Sequence, residues 1–267
     1  MTLSSTGRRT TALLAISFAA VLLAGCRDEA PAAAPPSSTA PTSATSAAPS
    51  PTKAAIDTTD PGNLVRASQI SAGRAANGHA VTWSRSSGGE ITRLDVRGRT
   101  DGANQEATVN SSLAGICTTR TAGRGRFVKG DYTFWSKNHA DRAREVAGKW
   151  APETDEGARK PEVVTLRFVI NSLETLYAST PMSSSTMSVT PVTYASQQAL
   201  RVAARDPAAN LSITVTATPD HLPLQVISPS VRVTYSEWNT VPAYAAPPVA
   251  DQLPQGEAAD LLSHLPK

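Results

Sequence analysis

In the stretch "NLSITVTATPD", Leu211, Ile213, Val215 and Ala217 alternate with Ser212, Thr214, Thr216 and Thr218. A period of two puts one set of side chains on each face of an extended strand. An apolar set opposite a hydroxyl set describes a half-buried antiparallel strand, dry on one face and wet on the other. Such a strand needs neighbours to pair with and a layer to cover its apolar side.

The neighbours are present. "HAVTWSRS", "EITRLDVRGRT" and "NQEATVNSS" read as strands separated by the Gly-rich breaks "SSGG" and "DGA". "GICTTRTAG" and "GRFVKGDYTFW" follow, with Gly130-Asp131 suited to a two-residue hairpin turn and "YTFW" as its second arm. Further on, "STMSVTPVTYASQQALRVAARD", "NLSITVTATPDHLPLQVIS" and "VRVTYSEWNT" are strand runs. Glu237 and Trp238 fall at an edge or end of the sheet.

Helices occur at separated points. Leu64, Ala67 and Ile70 suit a short helix. In "NHADRAREVAGKW", Ala143, Val146, Ala147 and Trp150 fall at i, i+3, i+4 and i+7, which predicts a helix over Asn138 to Lys149. "VVTLRFVINSLETLYAS" is apolar and partly helical, and Asn171 and Glu174 have capping-box spacing. Many strands with few, separated helices favour an α+β fold with helices on one face of an antiparallel sheet.

The ends of the chain bound the domain. Arg8 and Arg9 precede the apolar run Ala12 to Ala24, which is shorter than the roughly 20 residues that span a bilayer. That arrangement reads as a secretory signal. The run closes in Leu23-Ala24-Gly25-Cys26, which resembles a bacterial lipobox. The resemblance implies that residues 1–25 are removed and that Cys26 carries acyl chains such as palmitate. One acyl chain holds a protein to a membrane only marginally, at about 0.8 kcal/mol per methylene, whereas two hold it stably. Residues 27–60 are rich in Ala, Pro, Ser and Thr and have no aromatic residue, so residues 26–60 are expected to be an acylated cysteine and a disordered tether. Residues 61–250 then form one domain. Residues 251–267 are expected to be a flexible tail, with Leu261, Leu262 and Leu265 offering a short docking helix as the alternative.

Composition excludes more than it assigns. Without Arg8 and Arg9 the 25 basic residues become 23 against 22 acidic, a balance that gives nucleic acid nothing to bind. Cys117 has no intrachain partner once Cys26 is acylated, and a buried structural thiol is expected. His79, His139, His221 and His264 lack metal-ligand spacing. Asp155, Glu156 and Glu162 lie among Arg159 and Lys160 as a solvated cluster. No nucleophile elbow, zinc motif, P-loop or dinucleotide fingerprint occurs. A non-enzymatic protein without cofactor or metal is expected. The aromatic-rich stretch from Asp131 to Trp150 reads as scaffold, or at most as one wall of an apolar pocket.

The order "FVKGDYTFW", "AGKW", "ITVTATPDHLPLQVI" and "VTYSEW" resembles actinobacterial lipoproteins of the LppX/LprG type, relatives of the Lol-type lipoprotein carriers. The resemblance implies a strongly curved antiparallel sheet, a half-barrel, with helices covering its concave face. It also implies an apolar cavity between the layers for an acyl lipid or lipoglycan. On strand phase, Ile213, Val215 and Val233 would line that space. Two function classes follow: a membrane-anchored lipid carrier on the outer face of the cytoplasmic membrane, or an interaction or sensor module serving an envelope protein complex.

Overall fold

The computed structural model describes residues 57–137, 139–153, 164–178 and 180–265. The chain enters through α1 (Pro61–Arg74) and lays down β1 (Asn77–Arg85), β2 (Ile91–Arg99), β3 (Gln105–Ser111), β4 (Gly115–Ala122) and β5 (Gly125–Gly130). Two short helices, α2 (Tyr132–Ser136) and α3 (Ala143–Val146), precede β6 (Trp150–Glu153), and α4 (Leu166–Ala178) comes next. The second half is β7 (Met187–Tyr194), β8 (Gln197–Ala204), β9 (Ser212–Thr216), β10 (Pro223–Ile227) and β11 (Val231–Ser236), closed by α5 (Gln255–Ser263). Among the described residues the strands form one sheet in the order β6-β5-β4-β3-β2-β1-β11-β10-β9-β8-β7.

The sheet is two antiparallel meanders joined by their first and last strands. β1 pairs with β11 from His79 opposite Ser236 to Ser84 opposite Val231. β6 and β7 lie at the two edges, so the sheet is open. The fold is α+β, as the strand and helix patterns predict.

Register explains why one face is dry. Ala80 lies opposite Val96 and Tyr235, and Thr82 opposite Leu94 and Val233. Val96 continues to Ala107, Val226 to Ile213, and Ile213 to Val202. These side chains share a single face and are buried. The opposite face carries hydroxyls and charges, with Thr108 bonded to Thr118 at 3.1 Å and Arg120 to Glu106. At Gly98 the backbone of the next strand comes so close that a Cβ would lie 2.4 Å from Gln105 Cα. Only glycine fits there, at a φ of +141°.

Both long helices have identifiable starts. The Asp60 carboxylate accepts from Asn63 N at 2.8 Å, and Pro61 opens α1. In α4 the cap is Thr165, whose hydroxyl accepts from Phe168 N at 3.0 Å. Asn171 is therefore inside the helix and exposed, not at its start. α1 packs over β7 and β10, α4 over β1 and β2, and the two helices touch. Leu64 and Val65 of α1 join Leu166, Val169 and Ile170 of α4 in one cluster with the inner face.

Three sequence expectations are corrected. "YTFW" is not a strand arm: Asp131 caps α2 by accepting from Phe134 N at 2.7 Å. Gly130 is required for close packing, since a Cβ there would sit 2.2 Å from Phe134 Cδ1. The helix expected over Asn138 to Lys149 is only α3 (Asn138 itself lies outside the described residues). Gly148 at φ +79° turns the chain out of it, and Trp150 opens a strand. The tail is not flexible through residue 263. Ala258, Leu261 and Leu262 of α5 are buried against Val128, Trp135, Ala143, Val146 and Ala151. His139 Nε2 donates to the Leu261 carbonyl at 2.9 Å, and Arg142 pairs with Glu257. Replacing Leu261 by Ala should cost about 2–5 kcal/mol of unfolding free energy. A urea transition giving a loss of less than a tenth of that would mean α5 is not docked.

Candidate functional site

The inner face is the candidate site. Ile213, Val215 and Val233 all lie on it and are fully or almost fully buried. They share one cluster with Val96, Tyr235 and the helices α1 and α4. β11, which carries Val233 and Tyr235, runs between the strands under α4 and those under α1. Glu237 has φ +55° and turns the chain at the end of this central strand. Trp238 then stacks on Tyr235 at 5.6 Å and donates from Nε1 to the Pro223 carbonyl at 2.8 Å. Gly78 makes room for it, because a Cβ there would lie 2.7 Å from Trp238 Cε3. The Thr82 hydroxyl, between Leu94 and Val233, is buried and has no hydrogen-bond partner among the described residues. Buried hydroxyls are rarely left so.

The second cluster extends this face toward β6. Cys117, expected to be buried, is partly buried against it, and desolvation there pushes its thiol up to about 12. A thiol held that high is not a nucleophile at neutral pH. Arg126 and Glu153 meet on the same face, Nε to Oε2 at 3.2 Å, and burial lowers the Arg126 value.

The outer face holds a polar chain that no sequence spacing announces. His79 Nε2 lies 2.8 Å from Asp95 Oδ1, and its Nδ1 lies 3.1 Å from Ser236 Oγ and 3.6 Å from Glu237 Oε1. Arg93 holds the other Asp95 oxygen at 2.6 Å, and Arg97 binds Glu237. The His79 hydrogen bond holds Asp95 below the usual carboxylate range. At the far rim, Arg99 brings Asp101 to about 2. Serine, histidine and aspartate in line invite comparison with a hydrolytic triad. Here a second carboxylate crowds the nitrogen that faces the serine, and the group lies on the sheet's outer face. The arrangement ties β1, β2 and β11 together across the join.

The remaining candidates are dispersed. Edge-to-face packing brings His139 and His264 to 5.7 Å, and His221 Nδ1 lies 3.3 Å from the Thr216 carbonyl. Among the described residues no three potential ligands gather as a metal site. Asp155, Glu156, Arg159, Lys160 and Glu162 lie outside the described residues. A shallow pocket of about 180 Å³ lies at the β8–β9 turn, lined by Asp206, Pro207, Asn210, Leu211 and Ile227. It is not between sheet and helices.

No protein-family model and no curated protein matches the sequence. Solved structures do. LprF from Mycobacterium bovis is similar at 12% identity and a TM-score of 0.38, over 70% of this chain and 96% of that one. The Mycobacterium tuberculosis lipoprotein LppX is similar at 13% identity and a TM-score of 0.37, over 68% and 96%. MucB of Pseudomonas aeruginosa, solved with MucA, follows at 14% identity and a TM-score of 0.26, over 74% of this chain and 62% of that one. LppX is a lipoprotein of the type the sequence resembles. At these identities no residue role passes from them to this chain.

Burial of Cys117 yields a pH prediction. Its folded value lies above the unfolded one, so its share of stability is full below the unfolded value, about 8.5. That share is lost as pH rises toward about 12. Iodoacetamide at pH 8 should therefore leave Cys117 unmodified in the native protein and label it in urea, as peptide mass mapping would read. Rapid native labelling would show an open, reactive thiol.

Proposed function

We propose that this chain is an exported lipoprotein, anchored by Cys26 to the outer face of the cytoplasmic membrane, that binds and ferries an acyl lipid or lipoglycan between its sheet and helices. The observation that carries the reading is the inner face. It is apolar across both meanders and roofed by two helices that sit over different halves of the sheet. Parting α1 from α4 uncovers Val233 and Tyr235 without breaking a strand ladder. An acyl chain laid there gains about 0.8 kcal/mol per buried methylene. The Thr82 hydroxyl supplies one polar contact within that lining. None of the described helices is long and apolar enough to cross a membrane.

In the described residues the inner face is filled by its own side chains. That close packing favours a second reading, a non-enzymatic interaction or sensor module accessory to an envelope complex.

One experiment separates the two. The mature chain carrying Cys26→Ser is purified from a related bacterium, and organic extracts are examined by mass spectrometry. Any acyl lipid found is then cargo, not anchor. The carrier reading expects one defined lipid class at near-stoichiometric amount. Val215→Trp, which overfills the lining, should lower recovery roughly tenfold while circular dichroism shows the sheet retained. A folded, lipid-free protein selects the second reading.

A further inference from the structure

One rim of the sheet carries exposed apolar side chains at its turns. Leu113, in the β3–β4 turn, is 62% exposed. Ile91 opens β2 beside it, with Ser112 N donating to the Ile91 carbonyl at 3.1 Å. Ile116 is the second residue of β4, and its carbonyl accepts from Asp131 N at 2.9 Å, immediately before the exposed Tyr132. One row below, the outer face carries Trp83, 47% exposed, with the Arg93 guanidinium 5.5 Å from its ring centre. Arg232 is the register neighbour of Trp83 on the other side, and Arg85 is opposite Ile91. Isolated exposed apolar residues are ordinary, but several at one rim above an aromatic and basic row mark an interaction surface.

The chain's path says what that surface meets. Register carries this rim across the sheet: Trp83 to Arg232, Arg232 to Ile227, Ile227 to Ser212, and Ser212 to Ala203. Beside it β7 starts, with Met187 opposite Ala204. Gly62, in the first turn of α1, packs there against the Met182 carbonyl, which would lie 2.9 Å from a Cβ. α1 ends at the opposite rim, where Thr100 N donates to the Ala76 carbonyl. The N-terminal segment bearing Cys26 therefore joins the fold at the rim with the apolar turns.

We propose that this rim docks on the membrane surface. Leu113, Ile91, Ile116 and Tyr132 enter the headgroup and acyl boundary. Trp83 lies at the interface, where its amphipathic ring is favoured. Arg85 and Arg232 face anionic headgroups, their stems lying along apolar surface. The orientation rests on the anchored reading, whereas the affinity of the rim for lipid does not.

The test uses the full mature chain on vesicles of equimolar phosphatidylcholine and phosphatidylglycerol, with and without brominated acyl chains. Trp83 emission is taken as the difference between the wild type and Trp83→Phe. Bromine in contact with the rim should remove roughly half of that emission, since an interfacial ring touches the upper acyl chains. In the Cys26→Ser chain, Leu113→Ser should lower vesicle partition about tenfold. The intact mass reports acylation of Cys26 separately. An unacylated chain whose Trp83 is quenched keeps the rim and discards the anchor. An acylated, vesicle-bound chain whose Trp83 emission is unchanged overturns the rim and keeps the anchor. A photoreactive residue in place of Leu113 that captures a protein or a second copy, and no lipid, also overturns it.

Discussion

An open sheet of this width has a large apolar face that must be kept from water, and the rest of the fold answers that need. Nothing in the hydrogen-bonded ladder favours one face over the other; the alternation of side chains does. Once Ala80, Val96, Ile213 and Val233 point the same way, helices have to lie over them. α1 and α4 cover the centre, while α2, α3 and α5 cover the β5–β6 end. The edge strand β6 is also shielded. Trp150 and Gln252 form a parallel bridge, and Leu253 N donates to the Trp150 carbonyl at 2.8 Å.

The strands were legible because period-two alternation is a local property. Ile213, Val215 and Val233 were assigned to one face by phase alone, and they share it. The first helix was legible for a similar reason, from the spacing of Leu64, Ala67 and Ile70, whereas its Asp60 cap emerged only in the structure. Elements without a period were misread. "YTFW" is too short to show one, and Gly130-Asp131 serves equally as a turn or as a close-packed glycine before a cap. Gly148 cuts short a helix that apolar spacing alone would have continued to Trp150. The tail was ambiguous because Leu261 and Leu262 mean little until Trp135 and Val146 are there to meet them.

The polar chain through Asp95, His79 and Ser236 was invisible for a different reason. Its members sit on three strands, and no spacing in sequence relates them. On a sheet's wet face such ladders contribute a few tenths of a kcal/mol per pair and help hold register. The apolar rim was equally hidden. Leu113, Ile91 and Tyr132 are unremarkable one by one and acquire meaning only when register puts them at the same end of the sheet.

The β1–β11 join also sets an order of events. Ser236 and His79 are 157 positions apart, so the middle of the sheet cannot form until nearly the whole chain is free. Contacts that distant make folding slow. A chain made from its N-terminus delivers β1 early and β11 almost last. Until then the first meander lacks its central neighbour and the helical cover contributed by α5. Early closure of the sheet around the first meander is thereby ruled out by topology itself, without help from any single residue.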